Sequence, residues 1–124
     1  MLLSASAEAF AHPTEDRARV LQALNSIVPA EYEETVAEGE FGESMLILAG
    51  TCSGQAAARA AARVKGLVYR FDEDGRAVFM LDKQAAFAGK AANGKGIKLV
   101  FRFSSYPFSL ETVRQEAGGL LGIL

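Results

Sequence analysis

The chain has no tryptophan, one cysteine and one histidine. With Cys52 alone no internal disulfide can form, and with His12 as the sole histidine a Cys/His zinc site is nearly excluded. The same scarcity deprives His12 of a thiol or imidazole partner for nucleophilic chemistry, so a structural or solvent-exposed role is expected for it. A buried, inert thiol is the expected state of Cys52. No apolar run is long enough to span a membrane. The opening Met1-Leu-Leu-Ser-Ala-Ser-Ala7 has the small residues of a secretory cleavage site, but it lacks a basic leader and a full apolar core, and it reads as a strand. An intracellular, cytoplasmic protein with no membrane partner is expected.

What is present is apolar content and polarised charge. Half of the 124 residues are apolar. That suits one compact domain over residues 1–124, burying roughly two-thirds of its unfolded surface. The formal net charge of −2 hides an asymmetry, because residues 1–58 carry two basic against nine acidic residues and residues 59–124 carry eleven against six. From Lys83 to Arg102 there are five cations and no acid, whereas Glu31 to Glu43 holds six acids and no cation. A one-sided basic surface attracts phosphate through its long-range potential and through counterion release.

The pattern along the chain alternates strands and helices. Leu3, Ala5, Ala7 and Ala9 recur with period two, the mark of a half-buried strand ending at His12-Pro13. Thr14 is then expected to cap a helix in which Val20, Leu21, Leu24, Ile27 and Val28 share a face, and Pro29 stops it. The acidic stretch reads as a solvated connection, with a protein-binding edge as its functional rival. Met45 to Thr51 is a short apolar run suited to a central strand, after which Ser53 caps an alanine-rich helix ending near Gly66. Leu67 to Phe71 fits a helix tail or a strand.

Asp72-Glu-Asp-Gly75 predicts a turn into a strand over Arg76 to Leu81. Asp82 is placed to cap a short helix ending at Gly89. Beyond the Gly94-Lys-Gly96 turn, Ile97, Leu99, Phe101 and Phe103 share one strand face, and Lys98, Val100 and Arg102 share the other. Ser109 caps a last helix, with Phe108 stapled onto Val113. Gly118-Gly119 should weaken that helix. The apolar end from Leu120 to Leu124 docks on the body or on another subunit, which makes it the candidate contact of a homo-oligomer.

Two motifs fall short of the chemistry they resemble. Gly89 to Gly96 nearly spells a phosphate-cradling loop, but Gly96 stands where a hydroxyl must be, and the segment runs helix to strand. A basic, glycine-flexible connection describes it better. Asp72-Glu73-Asp74 lacks calcium-loop spacing and reads as a solvated turn. No metal, cofactor or nucleophile–base pair is expected, so no enzyme is either.

The remaining cations group by geometry. Arg59 and Arg63 are four apart on one helical face, with the plain alternative that they are only its wet side. Lys98 and Arg102 are co-facial and about 13 Å apart along a strand. The expected nucleic-acid-binding set is Lys83, Gln84, Lys90, Lys95, Lys98 and Arg102, flanked by Arg59, Arg63 and Arg70. Most phenylalanines fall on core faces, leaving Tyr69 and Tyr106 as the stacking platforms. Recognition should therefore rest on backbone charge and nucleic-acid shape, with weak sequence specificity.

Several stretches together resemble an archaeal family of small RNA-binding proteins described as predicted exosome subunits. They are His12-Pro-Thr-Glu-Asp16 with Val20 to Leu24 and Pro29, Phe41-Gly42 ahead of Leu46-Ile-Leu48, Arg70-Phe-Asp-Glu-Asp-Gly75, and Leu81-Asp-Lys-Gln-Ala-Ala-Phe87 with Gly89. The resemblance implies a single α+β domain, an antiparallel sheet packed by helices and similar to the ribosomal protein that binds 5S rRNA. It also implies RNA binding without catalysis, and RNA or exosome proteins as partners. Three departures stand out: Met80 where the family pattern often has a basic residue, Val78 where it has an aromatic, and Lys95 near where an acid is common. The competing expectation is a protein-interaction subunit docking through the acidic stretch or the apolar tail.

Overall fold

The computed structural model describes residues 1–12, 14–38, 42, 44–104 and 109–122. Strand β1 (Leu2–Ala11) buries Ala5, Ala7, Ala9 and Ala11, while Glu8 and Phe10 on its other face are exposed. Helix α1 (Arg17–Ile27) follows, with Val20, Ala23, Leu24 and Ile27 buried. Its cap is Asp16, whose carboxylate accepts the Ala18 amide at 2.9 Å, and not Thr14 as expected. The reason is local: the Glu15 amide donates to the His12 carbonyl at 2.9 Å, and this turn delays the helix.

Strands β2 (Glu33–Glu38) and β3 (Ser44–Ser53) form a hairpin-like antiparallel pair. Thus Glu33 to Glu38 of the acidic stretch, expected to be a connection, form an edge strand. Its side chains are nearly all exposed, so no buried face stamped an alternation on the sequence. Helix α2 (Gly54–Val64) begins at Ser53 without the expected side-chain cap bond, and buries Ala57, Ala60, Ala61 and Val64. Alanines on both the helix and β1 let the two backbones approach closely, each small side chain adding little bulk to the seam.

Strands β4 (Arg70–Phe71), β5 (Ala77–Asp82) and β6 (Gly96–Phe103) complete one six-stranded antiparallel sheet in the order β2-β3-β1-β6-β5-β4. Asp82 caps the short helix α3 (Lys83–Phe87) by accepting the Gln84 amide at 2.9 Å, as its position predicts. Helix α4 (Leu110–Leu121) is capped by Ser109 and runs unbroken through Gly118 and Gly119. Buried Val113, Ala117 and Leu121 hold it there against the weak propensity of glycine. The apolar end therefore docks on its own body as far as Gly122, where the Gly66 amide donates to the Leu121 carbonyl and the Tyr69 hydroxyl to the Gly122 carbonyl. Phe108, Ile123 and Leu124 lie outside the described residues.

The helices lie on the alanine-lined face, α2 against β1 and β3, α4 beside α2, and α1 against β1 and α3. Between the two layers, Phe79, Leu81, Ile97, Leu99 and Phe101 are fully buried, with Phe79 and Phe101 edge to face at 5.7 Å. Each such side chain contributes roughly 1.5–3 kcal/mol of transfer free energy. The domain is α+β, as expected.

Candidate nucleic-acid interface

The face of the sheet away from the helices is built by strand alternation. On β6, Ile97, Leu99, Phe101 and Phe103 point into the core, and Lys98 and Arg102 are exposed opposite them. The register sets their neighbours: Lys98 stands between Glu8 on β1 and Met80 on β5, and Arg102 stands opposite Ser4. Arg70 is opposite Val78, which is opposite Val100, so it too stems from this face, two strands from β6 and roughly 10 Å away.

A shallow depression of about 550 Å³ lies on this surface. Arg76, Lys98 and Arg102 border it on one side and Glu8, Glu31 and Glu33 on the other. Arg76 is held by ion pairs with Asp74 at 3.2 Å and Asp72 at 3.9 Å. Asp72 also accepts the amides of Asp74 and Arg76, both at 2.9 Å, so it acts as the hinge of the predicted turn. Lys98, Arg102 and Arg70 have no carboxylate within ion-pair distance among the described residues. A polyanion lying over the cationic side is kept from sliding across the sheet by the acids on the other.

The residues singled out from sequence do not all meet here. Lys90 and Lys95 are exposed on the connection from α3 to β6, at the end of the sheet where β6 begins. Gln84 is exposed on α3. Arg59 and Arg63 are exposed on α2, in the helical layer behind the sheet, and do not join the strand cations. Lys83 departs most from expectation. Its ammonium is turned inward, with its side chain only 13% exposed, bonding the Phe10 carbonyl and the Glu15 carboxylate, the latter at 2.8 Å. Partial burial would raise the Glu15 pKa, but the bonds from Lys83 and the His12 amide, with the charges of Lys83 and His12, hold it below its ordinary value. Lys83 thus fastens α3 to β1 and to the turn before α1.

The aromatic supply also differs from the expected one. Tyr69 is buried at 5% exposure between Phe71 and Phe79, its hydroxyl engaged and its pKa raised by burial, so it is no stacking platform. Tyr106 lies outside the described residues. The ring that sequence reasoning missed is Phe10, 42% exposed on the open face. The signal was available: a phenylalanine between Ala9 and Ala11, in a strand whose odd positions from 5 to 11 are all core alanines, must face outward. Met80 is likewise 44% exposed, next to Lys98. Val78, like Met80 a departure from the family pattern, stems from the same side of β5 but is buried at 4% exposure.

The near phosphate loop is held by backbone bonds, and its Gly94 and Gly96 pack tightly on Asp82 and Lys83 where flexibility was expected. The Gly94 amide donates to the Met80 carbonyl at 3.1 Å, Lys83 to Lys95 at 3.0 Å, and Asp82 to Ala92 at 2.8 Å. A Cβ on Gly94 would sit 2.5 Å from that of Asp82. Asn93 bridges both backbone groups of Val68, and this pins the connection further. Cys52 is half-buried, and burial pushes its thiol pKa up. Among the described residues no group of three His, Cys, Asp or Glu side chains is placed to hold a metal, and no helix is long and apolar enough to cross a membrane.

A protein-family model described as RNA binding matches residues 4–103, which include β1 from Ser4, the whole of β2 to β6 and the first three helices. No curated protein matches the chain. Among solved structures, a DUF54 protein from Methanothermobacter thermautotrophicus is 28% identical, with 98% of each chain covered and a TM-score of 0.84. A DUF54 protein from Archaeglobus fulgidus is 24% identical over 97% of this chain and 99% of that one, with a TM-score of 0.73. Another from Sulfolobus solfataricus is 18% identical over 94% and 98%, with a TM-score of 0.67. The last two establish likeness of fold alone.

Proposed function

The chain belongs to the RNA-binding family whose model spans residues 4–103, and from that membership we propose that it binds RNA on the open face of its sheet and catalyses no reaction. The observation that carries this reading is the row of cations on one face. Lys98 and Arg102 project from β6, Arg76 borders the same depression, and Arg70 follows at the sheet edge. Phosphates along one RNA strand meet these charges in turn, and Phe10 offers a ring on which a base can stack. Recognition is by backbone charge and shape, with little sequence preference.

The direct test reverses charge in pairs. Lys98→Glu with Arg102→Glu should abolish most RNA affinity in a filter-binding or fluorescence-anisotropy titration, while melting stays near wild type because both side chains are exposed. Arg59→Glu with Arg63→Glu makes the same change of net charge on the helical layer and should cost far less. Equal losses in the two pairs would place the site elsewhere.

A role beside the exosome or in RNA processing is the finer form of this proposal. A second reading has its own support in β2, an edge strand bearing Glu33, Glu34 and Glu38, whose free backbone edge and acidity suit a basic protein partner. Purification with and without ribonuclease separates the two. Partners lost on ribonuclease treatment belong to the RNA reading, and partners retained belong to the protein edge.

A further inference from the structure

A second concavity, of about 850 Å³, opens where the short strand β4 meets α4. Its size falls within the roughly 300–1,000 Å³ of small-molecule sites. We infer that it receives one unpaired nucleotide of the RNA bound on the sheet, an extension that rests on the RNA-binding reading above. Arg70 and Arg114 stand on its wall, Phe71 lies beneath, Glu111 and Gln115 line α4, and Gly118 and Gly119 leave part of the surface bare of side chains.

The chemistry selects a nucleotide. Arg114 places its guanidinium 5.7 Å from the centre of the Phe71 ring, and Phe71 is braced edge-on by Tyr69 at 5.5 Å. A guanidinium plane backed by a ring is a surface on which an unstacked RNA base lies flat. The bare glycine surface admits a planar body without displacing side chains. Arg70 and Arg114 supply positive charge for the attached phosphate. Glu111 accepts hydrogen bonds from a base amino group and repels the phosphate, so the base takes the α4 side of the cleft.

Continuity with the sheet argues for RNA as the source. Arg70 stems from the open face, in the row that runs through Val78 and Val100 to Ser6, and at the edge of the sheet it also lines the cleft. A strand crossing from Lys98 and Arg102 over the sheet edge reaches the cleft by way of Arg70. Only an unpaired nucleotide can turn over that edge, because a paired base is held in its stack.

The cleft can be filled without disturbing the core. A Cβ on Gly119 meets nothing within 4 Å, and leucine is a better helix residue than glycine. Gly119→Leu should therefore weaken binding of a single-stranded RNA oligomer roughly tenfold, the order expected for one stacked base, and leave a blunt RNA duplex of the same length unaffected. Gly119→Ala, which adds only a methyl to that surface, should cost the single strand much less than Gly119→Leu does and leave the duplex unaffected. In the wild-type chain, the amide signals of Gly118 and Gly119 should move on titration with the single strand and stay still with the duplex. Unchanged single-strand affinity in a folded Gly119→Leu protein, an equal loss on both probes, or still amide signals would overturn the cleft while leaving the sheet reading standing. Wild-type protein that binds neither RNA at low salt would overturn both.

Discussion

Lys83 and Phe10 exchange the roles their residue types would suggest. The lysine, in the middle of the basic stretch, is spent on structure: its ammonium joins α3 to the Phe10 carbonyl and to Glu15. Lys83→Ala should accordingly lower stability more than it lowers RNA affinity, as measured by urea melts beside titrations. The partner gives the pH dependence. Because the folded pKa of Glu15 lies below its unfolded value, the stabilisation is present above about pH 4.3, the ordinary glutamate value, and is lost as pH falls through the folded pKa. The stability gap between wild type and Glu15→Gln should be widest near neutrality and shrink on acidification. Phe10 carries the opposite expectation. Phe10→Ala should weaken single-strand binding by about 1–3 kcal/mol if one base stacks there, with little change in melting, since the ring is already 42% exposed.

Among the elements, α3 is too short to persist on its own propensity, so its ends decide it. Asp82 accepts the Gln84 amide at one end, and the segment from Ala92 to Lys95 closes over it from the side. Asp82→Ala should cost about 1 kcal/mol, and Asp82→Asn much less. Gly94→Ala should cost about 1–3 kcal/mol through overpacking, because the added carbon meets both the side chain and the backbone of Asp82. Thermal melts of the three variants rank them directly. Strand β2 shows the converse dependence, since exposed glutamates guard its free edge against other strands while its pairing with β3 holds it in place.

For the whole molecule, the sheet acts as a partition. The cations of α2 lie behind it and those of β6 in front, so the +5 of the second part of the chain is divided between two surfaces. If Arg70, Arg76, Lys98 and Arg102 meet four phosphates, log affinity should fall against log salt with a slope of about −3 for single strands. Replacing Lys98 alone by alanine should make that slope shallower by somewhat under one unit. A flat response to salt would remove electrostatic binding from the account. Glu8, directly across from Lys98, moderates its charge, and Glu8→Gln should raise affinity in the same titration.

Alternation and capping rules, which act over a few residues, already determined a good part of this protein. The alternating alanines of β1, the two faces of β6, the Asp82 cap and the turn at Gly75 were all legible because each depends on neighbours close in the chain. The resemblance to RNA-binding proteins was legible for a related reason, since its motifs coincide with those turns and caps. Strand β2 was not, because an edge strand with no buried face leaves no periodic trace and is fixed only by its ladder with β3. The run of cations was visible, but how they divide was not. Whether Lys83 faces RNA or Glu15 depends on a residue 68 positions away, and whether Arg59 stands with Arg102 depends on which side of a six-stranded sheet each element packs. Those are long-range contacts, set by packing of the whole chain, and only the tertiary structure decides them.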